Sequence, residues 1–142
     1  MKVYIASPFF NEQELSLVKN IESELSNADI QFFSPRLEGG IIKNMTKEEK
    51  EKSIKSIYQM NVDGIDESDA VIAVIDNFDA GTMFEIGYAT KANKTIITVT
   101  NNNYGLNVML SEPVKHHTNS AKDAVAALLG GSFIELKQEV IT

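Results

Sequence analysis

Residues 70–75 read A-V-I-A-V-I, apolar at every position. A strand with one wet face alternates apolar and polar residues. An unbroken run is covered on both sides, as in the middle of a parallel sheet. Parallel neighbours cannot be joined by a hairpin and need crossovers, usually helical. One segment therefore predicts a layered α/β fold, provided the flanking sequence alternates strand with helix.

It does. Residues 2–6 (KVYIA) form a short apolar run read as the first strand. In 11–27, Leu15, Val18, Ile21 and Leu25 recur at the spacing of an amphipathic helix. Residues 30–33 make a second strand, ended by Ser34-Pro35, and a loop is expected over 35–45 with Gly39-Gly40 at its middle. Thr46 followed by Glu49 reads as a capping box opening a helix that runs to about Ser68. After 70–75 a helix from Ala80 to about Asn93 is expected, then a strand at 95–99 and a loop at 101–105. One helical turn near 107–110, a strand at 114–117 and a helix at 123–129 stopped by Gly130-Gly131 complete the pattern. The reading is one domain over 1–142: an open, mostly parallel five-stranded sheet with helices on both faces, flavodoxin/Rossmann-like. Such sheets place their sites at the carboxyl ends of the strands, here 7–10, 34–37, 76–81 and 100–105.

Composition narrows the chemistry. The chain has no cysteine, so neither disulfides nor thiolate catalysis is available. Its two histidines, His116 and His117, are sequence neighbours whose side chains diverge, which disfavours a histidine metal centre, and no metal is expected. Acidic residues outnumber basic ones by 20 to 13, a formal charge of -7, which would repel a nucleic-acid polymer and suits a small neutral partner. No apolar run approaches membrane-spanning length, and 3–6 is too short for the core of a signal peptide. A cytoplasmic protein without a membrane partner is expected.

Glu85 is the one charged residue in 80–90 (AGTMFEIGYAT). Desolvating a carboxylate is costly without partners. A solvated face is the competing reading, but i+4 and i+7 are Ala89 and Ala92, which suits burial better. The positive end of its helix is expected to help keep Glu85 ionised. Asp79 suits a helix cap. Tyr4 suits core packing, with a phenol proton on Glu85 as the alternative. Ser7-Pro8-Phe9-Phe10 lacks the glycines of a phosphate loop, which speaks against a nucleotide cofactor. Phe9 and Phe10 are compatible with core or with the walls of a flat pocket, and Asn107 to Leu110 with packing or ligand contact.

Taken together, Y-I-A-S-P-F (4–9), D-A-G-T-M-F-E-I-G-Y-A (79–89) and N-V-M-L (107–110) resemble the nucleoside 2-deoxyribosyltransferases. The similarity runs from the first strand to about Leu110, and the middle block is the most specific. The related nucleoside-monophosphate N-glycosidases share the fold and the glutamate.

The resemblance implies that Glu85 attacks the anomeric carbon of a 2′-deoxynucleoside to form a deoxyribosyl ester, which a second base then resolves with retention. It implies that Tyr4 orients Glu85 and that Asp79 helps bind substrate. Ser7, Phe9, Phe10 and Gly81 line the substrate, with the two aromatics on base and sugar. Asn107, with Met109 beside it, reaches the 5′-hydroxyl from a neighbouring subunit. The implied partners are nucleosides and free nucleobases in a salvage role, without a cofactor, and the implied assembly is a homodimer or homohexamer with shared sites. Asn61 stands where many members carry a base-contacting aspartate, and an amide cannot donate a catalytic proton. Hydrolysis of deoxynucleosides or their monophosphates is therefore one alternative, and a non-catalytic nucleoside-binding domain is another. Residues 132–142 match the family poorly and carry no assignment.

Overall fold

The computed structural model describes residues 1–38 and 46–136. In chain order these form β1 (Lys2–Ala6), α1 (Glu12–Asn27), β2 (Gln31–Phe33), α2 (Pro35–Glu38), α3 (Lys47–Asp66) and β3 (Ala70–Val74). A 3-10 turn (Asp76–Phe78), α4 (Ala80–Lys91), β4 (Thr95–Val99), α5 (Val108–Ser111), β5 (Val114–Thr118) and α6 (Ala121–Leu128) follow. The strands form one sheet, ordered β2-β1-β3-β4-β5, and every neighbouring pair is parallel. All five residues of β3 are buried, as its unbroken apolar run requires.

The strand order reverses beside β1: β2 lies on one side and β3 on the other. Loops leaving β1 and β3 then diverge to opposite faces and open a crevice at their carboxyl ends. On one face, α1 and α6 cover Val3, Ile5, Ile72, Val74, Ile97 and Val99 with Leu17, Val18, Ile21, Leu25 and Val125. The other face buries Tyr4, Ala6, Val71, Ala73, Ile75 and Ile96 beneath Ile65 of α3 and Ile86 and Ala89 of α4. The period-2 alternation of β1 thus sends Tyr4 to the α3/α4 side and its neighbours Val3 and Ile5 to the other.

Helix ends follow local chemistry. Thr46 and Glu49 form the expected reciprocal capping box. Asn11 and Ser120 cap α1 and α6 through their side chains. After α6, Gly130 takes φ 74°, and the Gly131 and Gly130 amides return to the carbonyls of Ala126 and Ala127, a Schellman ending. Several boundaries move by a residue or two, and α6 begins at Ala121 rather than Asp123. The loop expected over 35–45 instead starts with the helical turn α2; its remainder, with Gly39 and Gly40, lies outside the described residues. The C-terminal stretch 137–142 lies outside them too. Among the described residues no helix is long and apolar enough to cross a membrane.

Candidate active site

Tyr4 and Glu85 meet beneath the crevice. Tyr4 is fully buried in β1, and its ring stacks on Phe33 with centroids 5.4 Å apart. Its hydroxyl donates a hydrogen bond to Glu85 Oε2. Glu85 is mostly withdrawn from solvent, which rules out the solvated-face reading.

Burial raises the Glu85 carboxyl to about 7; the Tyr4 hydrogen bond pulls it down and the neighbouring Asp79 carboxylate pushes it up. Burial also pushes the Tyr4 phenol far above its ordinary value, with Glu85 adding to the effect, so the phenol stays a donor. Helix α4 begins at Ala80 and holds no acidic residue in its first turn. Glu85 therefore sits in the second turn, where the field of the helix end has faded. Desolvation is the largest influence on its carboxyl.

Asp79 is the N-cap of α4. Its Oδ2 accepts from the Thr82 amide at 2.9 Å and the Thr82 hydroxyl at 3.1 Å. Gly81 fits this cap, because a Cβ there would lie 3.2 Å from Asp79 Oδ2. The turn before the cap is unusual: Asn77 and Phe78 both take left-handed backbone, at φ 64° and 46°. That is unfavourable for a bulky residue such as Phe78. Tethers hold it: Asp76, buried, accepts from Thr100 Oγ1 at 2.5 Å and from the Asn101 amide at 2.8 Å. The rings of Phe78 and Tyr104 pack with centroids 5.2 Å apart.

The other residues singled out in the sequence are spread around this centre. Ser7 is buried and spends its hydroxyl on the Pro8 carbonyl at 2.8 Å. Phe9 and Phe10 pack on each other at 5.1 Å, with Phe10 three-quarters exposed at 76%. Asn61 lies one turn from the buried Gly64 and Ile65, on the sheet side of α3. Its Oδ1 is buried and is the side-chain oxygen or nitrogen in that position, among the described residues, without a hydrogen-bond partner. Asp63, two residues on, is exposed and accepts from Gln59 at 2.8 Å.

Asn107 and Met109 are not joined to the Tyr4–Glu85 pair. Asn107 caps α5 by accepting from the Leu110 amide at 3.1 Å, and Met109 is 75% exposed. Both line an open apolar groove of about 780 Å³ between α4 and α5, whose walls include Phe78, Met83, Ile86 and Gly87 but not Glu85.

Sequence reasoning missed three supports of the site. Glu14 of α1 is buried and bonds to the loop after β1 and the turn after β3. The Asp76–Thr100 bond joins the loops after β3 and β4. His117 is buried in β5: its Nε2–H donates to the Tyr104 carbonyl at 2.8 Å, and Nδ1 accepts from the Thr98 hydroxyl at 2.7 Å. Only the first had a local signal, the spacing Asn11-x-x-Glu14 of a helix start. The other two join residues 24 and 19 apart in sequence and needed the sheet order to be seen.

Comparison with known proteins agrees with this architecture. The family model described as nucleoside 2-deoxyribosyltransferase matches residues 3–128. An uncharacterized protein of Ureaplasma parvum serovar 3 is 31% identical over 104 residues, 68% of this chain, and the match spans 63% of that relative's length. Among solved structures, the 2-deoxyribosyltransferase of Bacillus psychrosaccharolyticus superposes with a TM-score of 0.77 at 25% identity, covering 87% of this chain and 89% of the other. A CMP N-glycosidase of Clostridium botulinum shares the fold, with a TM-score of 0.62 at 18% identity, covering 92% and 99%. With a family match over most of its length and a half-buried glutamate held by a strand tyrosine inside the matched region, this chain belongs to the nucleoside 2-deoxyribosyltransferase family.

Proposed function

We propose that the protein exchanges nucleobases between 2′-deoxynucleosides through a covalent deoxyribosyl-Glu85 intermediate. The observation that carries this reading is the Tyr4–Glu85 pair, a nucleophile-type carboxylate with a fixed orienting donor and a second carboxylate, Asp79, six residues away at the same helix end. Tyr4 occupies Oε2, which leaves Oε1 to attack C1′. The C1′–N bond breaks, its electron pair goes to the base nitrogen, and water supplies the proton that Asn61 cannot. The nitrogen of an acceptor base then attacks C1′, releases the Glu85 carboxylate and passes its proton to water. Two inversions give net retention, the logic of retaining glycosidases.

A nucleoside fits better than a nucleotide. Among the strand-end segments 7–10, 34–38, 76–81 and 100–105, Arg36 is the single basic residue. It is held by Glu22, with Arg36 Nε on Glu22 Oε2 at 2.8 Å and a second bond to Oε1. That leaves no uncommitted cation in these segments for a phosphate. Phe9, Phe10 and Ser7 would line base and sugar, with Asp79 and Gly81 at the sugar side. The orphaned Asn61 oxygen would accept a hydrogen bond from the base.

Asn107 and Met109 would serve the site of a second copy docked over the apolar α4–α5 groove, in a homodimer or a larger homo-oligomer. A cytoplasmic salvage role without a cofactor completes the proposal. Asn61 also favours a second reading, hydrolysis with water as acceptor, because an amide gives the departing base no acid. A purely binding domain would have no use for the Tyr4–Glu85 pair.

The experiment mixes thymidine or deoxyinosine with a different free base and separates the products. A new deoxynucleoside is expected. Free deoxyribose instead would move the assignment to hydrolysis, and no turnover by folded protein would end the enzymatic reading. Size-exclusion chromatography with light scattering tests the assembly, which a monomer would contradict.

A further inference from the structure

Helix α1 starts with Asn11 as its cap, so Glu14 is the third helical residue. In a capping box the carboxylate at that position returns to the amide of the cap residue itself. Here it does something else. Glu14 is 8% exposed, and its Oε1 accepts from the Phe10 amide at 3.0 Å. Its Oε2 accepts from Asn77 Nδ2 at 3.1 Å, across 63 residues of sequence. The second bond is unnecessary for starting a helix. It joins the loop that carries Phe9 and Phe10 to the turn that delivers Asp79 and α4.

That turn is the least relaxed backbone near the site, with two left-handed residues in series. Asp76 ties one side of it to the loop after β4, and Glu14 ties the other side to the loop after β1. Burying a carboxylate between two neutral donors is costly compared with leaving it in water. The cost is understandable if the two loops must keep a fixed separation. We propose that Glu14 is a positioning residue: through Asn77 and Phe10 it sets the distance between the aromatic loop and the helix bearing Glu85. This rests on the proposed reading that a nucleoside lies between those two elements.

The polarity of the clamp allows a rescue test. Asn77→Asp sets carboxylate against carboxylate and should open the clamp. Glu14→Gln is milder, because the Asn77 amide can rotate to accept from the new donor. In the double variant, the oxygen of the amide introduced at position 14 still accepts from Phe10, while its Nε2–H donates to the carboxylate introduced at position 77. Base exchange, thermal midpoint and 19F spectra of protein carrying 4-fluorophenylalanine are measured for all four proteins. Asn77→Asp is expected to lose ~10–50-fold in kcat with a much smaller change in KM, because misplacement acts on the attack geometry. The Phe9, Phe10 and Phe78 resonances should shift or broaden in that variant. The double variant should regain activity to within ~3-fold and return the resonances, as a restored pair should in a coupled cycle.

Unchanged kcat and resonances in Asn77→Asp, or a double variant as impaired as Asn77→Asp, overturn the proposal. So does an activity loss that merely follows the folded fraction. The spectra need no turnover. A wild-type protein without exchange or base release, but with resonances that move and return, keeps the clamp and rejects the reaction. Robust exchange that is indifferent to all three variants rejects the clamp alone.

Discussion

The two faces of the sheet are built for different ends. Helix α1 has 16 residues and buries Leu17, Val18, Ile21 and Leu25 along with Glu14 and Glu22. Helix α3 is longer, at 20 residues, yet buries only Gly64 and Ile65. Ile54, Tyr58 and Phe84 stay at least half exposed on the α3/α4 side. The α1/α6 face packs aliphatic side chains on aliphatic strand residues. The α3/α4 face inserts a phenol, a carboxylate and an unpartnered amide oxygen into its packing. Each face carries its own buried apolar cluster, but the α3/α4 face also holds the proposed reactive groups, at some cost to its packing.

Substitutions on the two faces should therefore separate activity from stability. The largest effect is expected from Glu85→Gln, which keeps the shape and removes the proposed nucleophile. Base exchange should fall by at least ~10³-fold. Stability should move the opposite way. The folded-state carboxyl titrates near 7, above its ordinary 4.5. Between those values the unfolded chain ionises and the folded one does not, so the wild type loses stability as pH rises through that window. Gln removes the penalty: at pH 8 the variant should be more stable by about 1–3 kcal/mol, with no gain below pH 4.5. Denaturant titration at both pH values checks the sign.

Ile21→Ala on the opposite face is the counterpart. Ile21 is fully buried in the aliphatic cluster. Its truncation should cost ~2–5 kcal/mol of stability, while kcat per folded molecule stays within ~2-fold because Ile21 lies about two turns along α1 from Glu14 and packs on the face opposite Tyr4. A large drop in kcat by protein that remains folded would contradict the division of labour.

That division was half legible in the sequence. The aliphatic face follows from periodicity: the unbroken 70–75 run and the spacing of Val18, Ile21 and Leu25 announce buried surface through one period each. Glu85 was also visible, because one charge in an apolar stretch conflicts with its surroundings. The upward shift of the Glu85 carboxyl was not, because it depends on how deep the second turn of α4 sits and on the nearness of Asp79, both set by tertiary packing. Glu14 and His117 were hidden for a related reason. Each looks like an ordinary helix-start or edge-strand residue until sheet order brings its partners from other loops.

A smaller effect is expected at Asn61. Its oxygen is buried without a partner, which costs about 1–3 kcal/mol in a folded chain. Replacing Asn61 by Leu should raise the thermal midpoint. If a base donor satisfies that oxygen in the complex, the same change should raise KM by ~5–20-fold, with a smaller effect on kcat. A stabilised variant with unchanged KM would mean that the oxygen never meets substrate.

The smallest and most specific test concerns Asp79. Its carboxylate opposes ionisation of Glu85 while also capping α4. Asn caps helices about as well as Asp, so Asp79→Asn should change stability little while removing the charge. The Glu85 carboxyl should then titrate lower, and the acid limb of kcat/KM, expected near pH 7 in the wild type, should move down with it. The ratio of activity at pH 6 to that at pH 8 should rise even if a lost contact to the sugar lowers both rates. Asp123, in the first turn of α6 on the other face, offers the control: Asp123→Asn should leave the limb where it was. A limb that fails to move in Asp79→Asn would mean that a group other than Glu85 governs it, and the reactive face would have to be assigned to different residues.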